Sequence, residues 1–170
     1  MPSTFESEID TFIDFQQQCH SLCCRILELF AVALDIDRDW FVSRHDSKAG
    51  PSGTIFRMLY YPQIDSTYQD GIDIRAGAHS DYGSITLLFQ QRGQPGLEIL
   101  TPGGQWTSVP VDPHDGASMA TINSDDARSL PILVNIGDLL QDWTSGLLKS
   151  TKHRVVFPAG ESSDRYSLVS

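Results

Sequence analysis

Three side chains of this sequence could meet on one metal ion: His79 and Asp81, two residues apart, and His153, far downstream. In an extended strand, residues i and i+2 point to the same face and lie about 7 Å apart along the chain. An imidazole and a carboxylate so placed can converge on one ion at about 2.0–2.2 Å each, and a second imidazole from a neighbouring strand completes a triangular face. Two histidines and one carboxylate on one face leave the other positions of the ion open. That suits oxidative chemistry at Fe(II), where a co-substrate and dioxygen must both reach the metal. An isolated H-x-D is a weak signal, because such a pair is more often a surface or hydrogen-bonded one. A second pair further on carries the weight.

Arg165 and Ser167 also stand at i and i+2, so they share a face of the strand that ends the chain. The planar guanidinium fork matches a carboxylate, and the serine hydroxyl can donate to the same oxygens. One charge-assisted hydrogen bond contributes roughly 1.5–3 kcal/mol, enough for the pair to anchor one end of a dicarboxylate. Alone, Arg165 would read as half of a surface ion pair. The remaining histidines lack a partner at ligand spacing. His20 falls mid-helix, His45 before a loop and His114 in a polar segment, so each is expected to be exposed or hydrogen-bonded.

The elements that must position these groups follow from periodicity. From Phe5 to Leu34, the apolar residues Phe5, Ile9, Phe12, Cys19, Leu22, Cys23, Ile26, Phe30 and Ala33 recur mostly at three and four, with a skip around Gln16–Gln18. This predicts one amphipathic helix, with Ser3 and Glu6 as a capping box. A short helical turn is expected at Asp37–Val42 and a Gly/Pro loop at Ser47–Gly53. The pattern then changes to short runs of branched and aromatic residues: Thr54–Tyr61, Ile72–Arg75, Ser84–Gln90, Leu97–Leu100, Trp106–Val109, Ile132–Ile136, His153–Phe157 and Tyr166–Val169. Turn residues separate them at Gly71, Gly93–Gly96, Pro102–Gly104, Gly137–Asp138 and Pro158–Gly160. Many short strands with such turns predict a sandwich or barrel with one helix packed outside. Leu139 and Trp143 are expected in the core under a short helical turn. Residues 112–130 are polar, small and aperiodic, and read as a long surface loop.

Composition narrows the function. The chain has 170 residues, 40% hydrophobic and 20% charged, with a formal net charge of −10. No Lys/Arg-rich run offers the basic face that nucleic acid or an anionic membrane requires. No apolar run approaches the roughly 18 residues of a bilayer span, and the acidic start lacks the basic and apolar regions of a secretory leader. Cys19, Cys23 and Cys24 crowd one helix with no matching set elsewhere, which predicts small core residues in a reducing compartment and a cytoplasmic location.

The segments HSDYGSITLLFQ, PGLEIL, Trp106, ILVNIGDLLQDWTSGLLKSTKHRVVFP and RYSLV together resemble the isopenicillin N synthase-like branch of the 2-oxoglutarate/Fe(II)-dependent dioxygenases, from about Ile55 onward. The N-terminal helix and RMLYYP resemble the segments that precede the family's first ligand. The resemblance implies that His79, Asp81 and His153 ligate Fe(II), and that Arg165 and Ser167 bind the distal carboxylate of 2-oxoglutarate. Tyr61 matches a tyrosine that bonds the same co-substrate. The metal centre itself would be the catalytic group. The implied fold is mainly β with α, a double-stranded β-helix of the jelly-roll type. One domain would fill residues 1–170, with a helical flank at 1–46 and the β-helix core at 53–170 carrying the polar insert 112–130.

The implied reaction couples oxidation of a small organic substrate (hydroxylation, desaturation or cyclisation) to decarboxylation of 2-oxoglutarate to succinate, with O2 consumed and ascorbate as a stimulant. Apolar residues beyond His153, namely Val155 and Phe157, are candidates for a dry wall around the metal or for plain core packing. Three departures stand out. Leu59 occupies a position where many plant members carry Asn, and the insert lengthens the interval between Asp81 and His153. The chain is also short at both ends against the family, so an incomplete β-helix is expected. Open alternatives are an Fe(II) oxidase of the same fold that uses no 2-oxoglutarate, and a non-catalytic metal-binding domain. A zinc hydrolase lacks a nearby Glu at helical spacing to act as base.

Overall fold

A computed structural model describes residues 3–46, 48–50, 52–64, 69, 72–113, 130–157 and 163–170, with side chains from Phe5 onward. The expected capping role of Ser3, the turns at Gly71 and Pro158–Gly160, His114 and most of the polar insert lie outside the described residues. The chain forms two compact units, Met1–Phe56 with Ser170, and Arg57–Val169.

In the first unit a 3-10 turn, Ser3–Glu8, leads into helix α1 (Ile9–Ala33). The residues fully withdrawn from solvent on α1 are Cys19, Leu27 and Ala31. This row differs from the expected stripe: Ile26 and Phe30 are half-buried, while Ile9 and Ala33 are exposed. The cause is degeneracy. Between Ile26 and Leu34 only Glu28 is polar, so periodicity there selects no face, and the i, i+4 row through Cys19, Cys23, Leu27 and Ala31 is the one that packs. The helix closes with Asp35 in the left-handed region (φ 55°), where Ile36 N–H donates to Ala31 O (3.1 Å) and Asp35 N–H to Val32 O (3.2 Å). That is a Schellman closure made by a short polar side chain instead of glycine.

The expected helical turn at Asp37–Val42 is present as hydrogen-bonded turns (Trp40 N–H to Asp37 O, 2.9 Å; Ser43 N–H to Asp39 O, 2.8 Å) that run past the buried Phe41 into a 3-10 turn at Val42–Arg44. The three thiols are unpaired. Burial, reinforced by Cys19 and Cys24, pushes the Cys23 thiol up to about 11, so it is held protonated and unreactive. Among the described residues no helix is long and apolar enough to cross a membrane.

Among the described residues the second unit contains eight strands: β1 (Arg57–Tyr61), β2 (Ile74–His79), β3 (Ile85–Gln90), β4 (Leu97–Leu100), β5 (Trp106–Ser108), β6 (Leu133–Ile136), β7 (His153–Val156) and β8 (Arg165–Val169). A helix of under two turns, α2 (Asp138–Trp143), follows β6. All eight expected strands are present: Leu97–Leu100 keeps both ends, and the others differ at one or both ends by one to four residues. One sheet has the order β1-β8-β3-β6 and the other β2-β7-β4-β5, every pairing antiparallel.

Four of these pairings, β1 with β8, β2 with β7, β3 with β6 and β4 with β5, are those of a long hairpin folded at the β4–β5 turn. Rolling that hairpin adds β8–β3 and β7–β4 and yields two sheets of a jelly roll. The consequence for function is proximity: β2 and β7 become neighbours although the residues they carry are far apart in sequence. Leu87, Leu97, Leu140 and Val155 form the buried apolar set of this unit. In α2 it is Leu140 that is fully buried, while Leu139 is 39% exposed and Trp143 half-buried. The expectation for Leu139 is thereby corrected, because α2 begins one residue before it and its apolar face falls one position later.

Candidate metal and anion site

The β2–β7 ladder sets His79 directly opposite His153. Cross-strand partners have their side chains side by side, and the two imidazole centroids are 4.3 Å apart. Asp81 arrives differently from the expectation. β2 ends at His79, so Asp81 is not the next same-face residue of a strand; it lies in the turn that leads to β3. The turn folds its carboxylate back. Asp81 Oδ1 is 4.0 Å from His79 Nε2 and 3.7 Å from His153 Nε2, and one ligand atom from each residue lies within 4.8 Å of the others.

The donor chemistry fits a divalent ion. His79 Nδ1 lies 2.7 Å from the Gly77 carbonyl, and His153 Nδ1 lies 3.1 Å from the Thr151 carbonyl. A carbonyl only accepts, so each Nδ1 donates to it and Nε2 is the ring nitrogen left to face the common centre. The outer oxygen of Asp81 is occupied: Asn135 Nδ2 donates to Oδ2 at 2.7 Å, which leaves Oδ1 aimed at the histidines. Two donors about 2.1 Å from one ion lie at most about 4.2 Å apart, and Asp81 Oδ1 stands 4.0 and 3.7 Å from the two Nε2 atoms. His79 is half exposed on its side chain, and the donor face stays open on that side.

The turn bearing Asp81 is held by the start of α2. Asp138 N–H donates to Asp81 O (2.7 Å), and Leu139 N–H lies 3.3 Å from Tyr82 O and 3.2 Å from Gly83 O. Ser80 Oγ donates to Asp138 Oδ2 (3.1 Å). The amides at this helix N-terminus, which have no partner within the helix, are satisfied by the carbonyls of the ligand turn. Gly137 permits the approach: a Cβ there would stand 2.1 Å from Gly83 O. Its φ is −97°, so the requirement is for space and not for backbone freedom.

Asn135 was legible only as part of the strand Ile132–Ile136. The available signal was one amide inside the apolar run ILVNI, a polar side chain that must find a buried partner. Replacing Asn135 with Ala should weaken divalent-metal affinity about 10-fold, the range for partners of a metal ligand. Metal titration checks this, and an unchanged affinity would remove Asn135 from the site.

Arg165 and Ser167 do share an inward face of β8: they are 1% and 4% exposed, with Tyr166 between them at 46%. Arg165 Nη1 donates to Ser167 Oγ (3.2 Å) and Nη2 to Gln90 Oε1 (3.2 Å), and its Cζ lies 5.6 Å from the Tyr61 ring centroid. Gln90 was not singled out from the sequence, since its role depends on the β3–β8 register that sets it opposite Ser167. Tyr61 faces Arg165, and Leu59 faces Ser167, in the β1–β8 ladder. Among the described residues no carboxylate pairs with Arg165, and its Nε is buried without a hydrogen-bond partner. Burial lowers its pKa, Tyr61 opposes this, and the charge of Arg75 adds to the lowering. A buried cation without an anion is a site waiting for one.

The remaining expectations fall as follows. Val155 is 7% exposed and pairs across to Ala76 and Leu97; Phe157 is half-buried with the Arg75 guanidinium 4.7 Å from its ring centroid. Trp106 carries the Arg154 guanidinium 4.3 Å above it, and Arg154 donates to Glu98 (2.7 Å), a structural group on the second sheet. His20 lies 3.5 Å from Cys24 Sγ, and His45 Nδ1 is 2.8 Å from Phe41 O; neither joins the metal-capable cluster.

The chain is similar to known proteins in sequence and in fold. The family model of the 2OG-Fe(II) oxygenase superfamily matches residues 52–170. UPF0676 protein C1494.01 of Schizosaccharomyces pombe is 40% identical over 156 residues, covering 89% of this chain and 42% of that protein. The 2-oxoglutarate-dependent dioxygenase htyE of Aspergillus rugulosus is 30% identical over 161 residues, 91% of this chain and 43% of its own length. Among solved structures, a full-length Neurospora crassa protein in complex with alpha-KG and thymine superposes with a TM-score of 0.73 at 33% identity, over 98% of this chain and 45% of that one. The chain thus spans less than half the length of these relatives. With the family model matching from residue 52 to Ser170, across every strand that carries the site, the chain belongs to the 2OG-Fe(II) oxygenase superfamily.

Proposed function

We propose that this protein is an oxidoreductase that uses Fe(II), O2 and 2-oxoglutarate to oxidise a small organic molecule, releasing succinate and carbon dioxide. One observation carries the reading: an open face of two imidazoles and one carboxylate shares a β-helix with a buried arginine that has no carboxylate partner among the described residues. His79, Asp81 and His153 would hold the iron, with Asn135 keeping Asp81 single-toothed. Arg165 and Ser167 would receive the distal carboxylate of the co-substrate, with Tyr61 beside them. Iron, when bound with 2-oxoglutarate, supplies activation of dioxygen and the oxidising power; the residues orient the reactants. Val155 and Phe157 would help to keep water from the metal.

The net charge of −10 supports a small-molecule substrate over nucleic acid or an anionic membrane, and three unpaired thiols support a reducing, cytoplasmic setting. Thymine binding belongs to the Neurospora relative; here the product's mass distinguishes hydroxylation, desaturation and cyclisation.

The test is 2-oxoglutarate binding to the Fe(II)-loaded full chain under nitrogen, followed by succinate release in air with ascorbate. Arg165→Ala should raise the 2-oxoglutarate Kd about 10- to 100-fold, the equivalent of one or two charge-assisted hydrogen bonds, and leave Fe(II) affinity unchanged. Tight Fe(II) binding without any 2-oxoglutarate binding would favour an Fe(II) oxidase of the same fold. Binding of both without turnover would favour a non-catalytic domain.

A further inference from the structure

Arg75, on the other sheet, reaches the segment that leads into β8 and Arg165. It lies on β2, and its Nη2 donates to the carbonyl of Ser163, two residues before Arg165. Its guanidinium is 4.7 Å from the Phe157 ring centroid, and Phe157 follows β7 on the same alternation as His153 and Val155. Arg75 Nε, like Arg165 Nε, is buried without a hydrogen-bond partner.

Neither arginine makes a carboxylate ion pair among the described residues. Asp164, the acidic group closest in influence on Arg75, is already engaged by the backbone N–H of Gln63 (2.7 Å) and the hydroxyl of Tyr60 (3.3 Å). Tyr61 influences both guanidinia. Burial lowers the pKa of each, and the like charge of Arg75 lowers that of Arg165 further. Like charges brought near one another are unfavourable unless an anion joins them, and two planar forks can share the two oxygens of one carboxylate.

We propose that Arg75 is the second cation of the co-substrate site, gripping the distal carboxylate of 2-oxoglutarate jointly with Arg165 from the opposite sheet. The inference rests on the 2-oxoglutarate reading above. In this arrangement the carboxylate bridges the two sheets near Tyr61, and the site selects 2-oxo acids that carry a second charge.

The experiment is a binding titration of the Fe(II)-loaded full chain under nitrogen with two ligands. They are 2-oxoglutarate and 2-oxovalerate, which has the same carbon chain without the distal carboxylate. Arg75→Met, which retains an apolar stem over Phe157, should raise the 2-oxoglutarate Kd about tenfold. It should leave the 2-oxovalerate Kd and Fe(II) affinity within about twofold, and Arg75→Lys should recover part of the loss. Equal weakening of both ligands would mean a structural role and overturn the proposal. An unchanged 2-oxoglutarate Kd would also overturn it. Arg165→Ala, run in parallel, separates the levels: its loss of 2-oxoglutarate with Arg75→Met unaffected sinks only the Arg75 assignment, whereas normal binding in Arg165→Ala sinks the co-substrate reading as well.

Discussion

Replacing His153 with Ala is expected to lower Fe(II) affinity by at least about 100-fold, beyond the 10- to 100-fold produced by changes behind a ligand. His153 is the one proposed ligand that the β2–β7 ladder brings from the far half of the chain, and its Nε2 faces Asp81 Oδ1 at 3.7 Å. Without it, only a half-exposed His79 and a single carboxylate oxygen remain, and two donors do not define a site. The ladder itself is made by backbone groups, so circular dichroism should show the strands intact. Fe(II) titration under nitrogen reads the effect. Retention of the parent affinity by a folded His153→Ala variant would exclude His153 as a ligand.

The second large effect is expected at Gly137, which no chemistry singles out. Gly→Ala exchanges at compatible positions commonly stabilise a protein by about 0.4–1 kcal/mol. Here the added Cβ would meet Gly83 O at 2.1 Å, Gly83 C at 2.8 Å and Asp81 O at 3.0 Å, all backbone atoms of the ligand turn. The turn cannot give way without shifting Asp81, and α2 cannot retreat without losing the amide contacts to Asp81 O and Gly83 O. Gly137→Ala should therefore cost about 1–3 kcal/mol of stability or more, together with most of the metal affinity. Gly103→Ala, in the β4–β5 turn with its nearest contact at 3.9 Å, is the control and should be close to neutral. Thermal unfolding and Fe(II) titration of both variants check this; a Gly137→Ala variant with parent stability and affinity would show that the turn is not clamped as described.

These two residues mark what could be read from the chain and what could not. His153 could be proposed as a ligand from its side-chain type, and the shared buried face of Arg165 and Ser167 could be read because strand alternation is local. The eight strands were legible for the same reason: branched and aromatic runs between Gly/Pro turns are written into adjacent residues. The boundary at His79 was not, because the place where β2 stops depends on its bulged pairing with β7. Asp81 consequently reaches the metal site from a turn and not from a strand face.

Gly137, Asn135 and Gln90 act through partners 54 to 75 residues away. Their roles exist only after the long hairpin has rolled up and the registers of β3 with β6 and β8 are set. The face of α1 failed for a different reason. A segment apolar at almost every position has no period to detect, so Leu27 could not be told from Ile26 before packing decided.

The most direct measurement is the visible absorption of the full chain titrated with Fe(II) and then 2-oxoglutarate in the absence of oxygen. A charge-transfer band that saturates at one iron per chain, appears only with both additions and vanishes in Asp81→Ala is the predicted result. Fe(II) that binds in the presence of 2-oxoglutarate without producing the band, or a band indifferent to His79, Asp81 and His153, would contradict it.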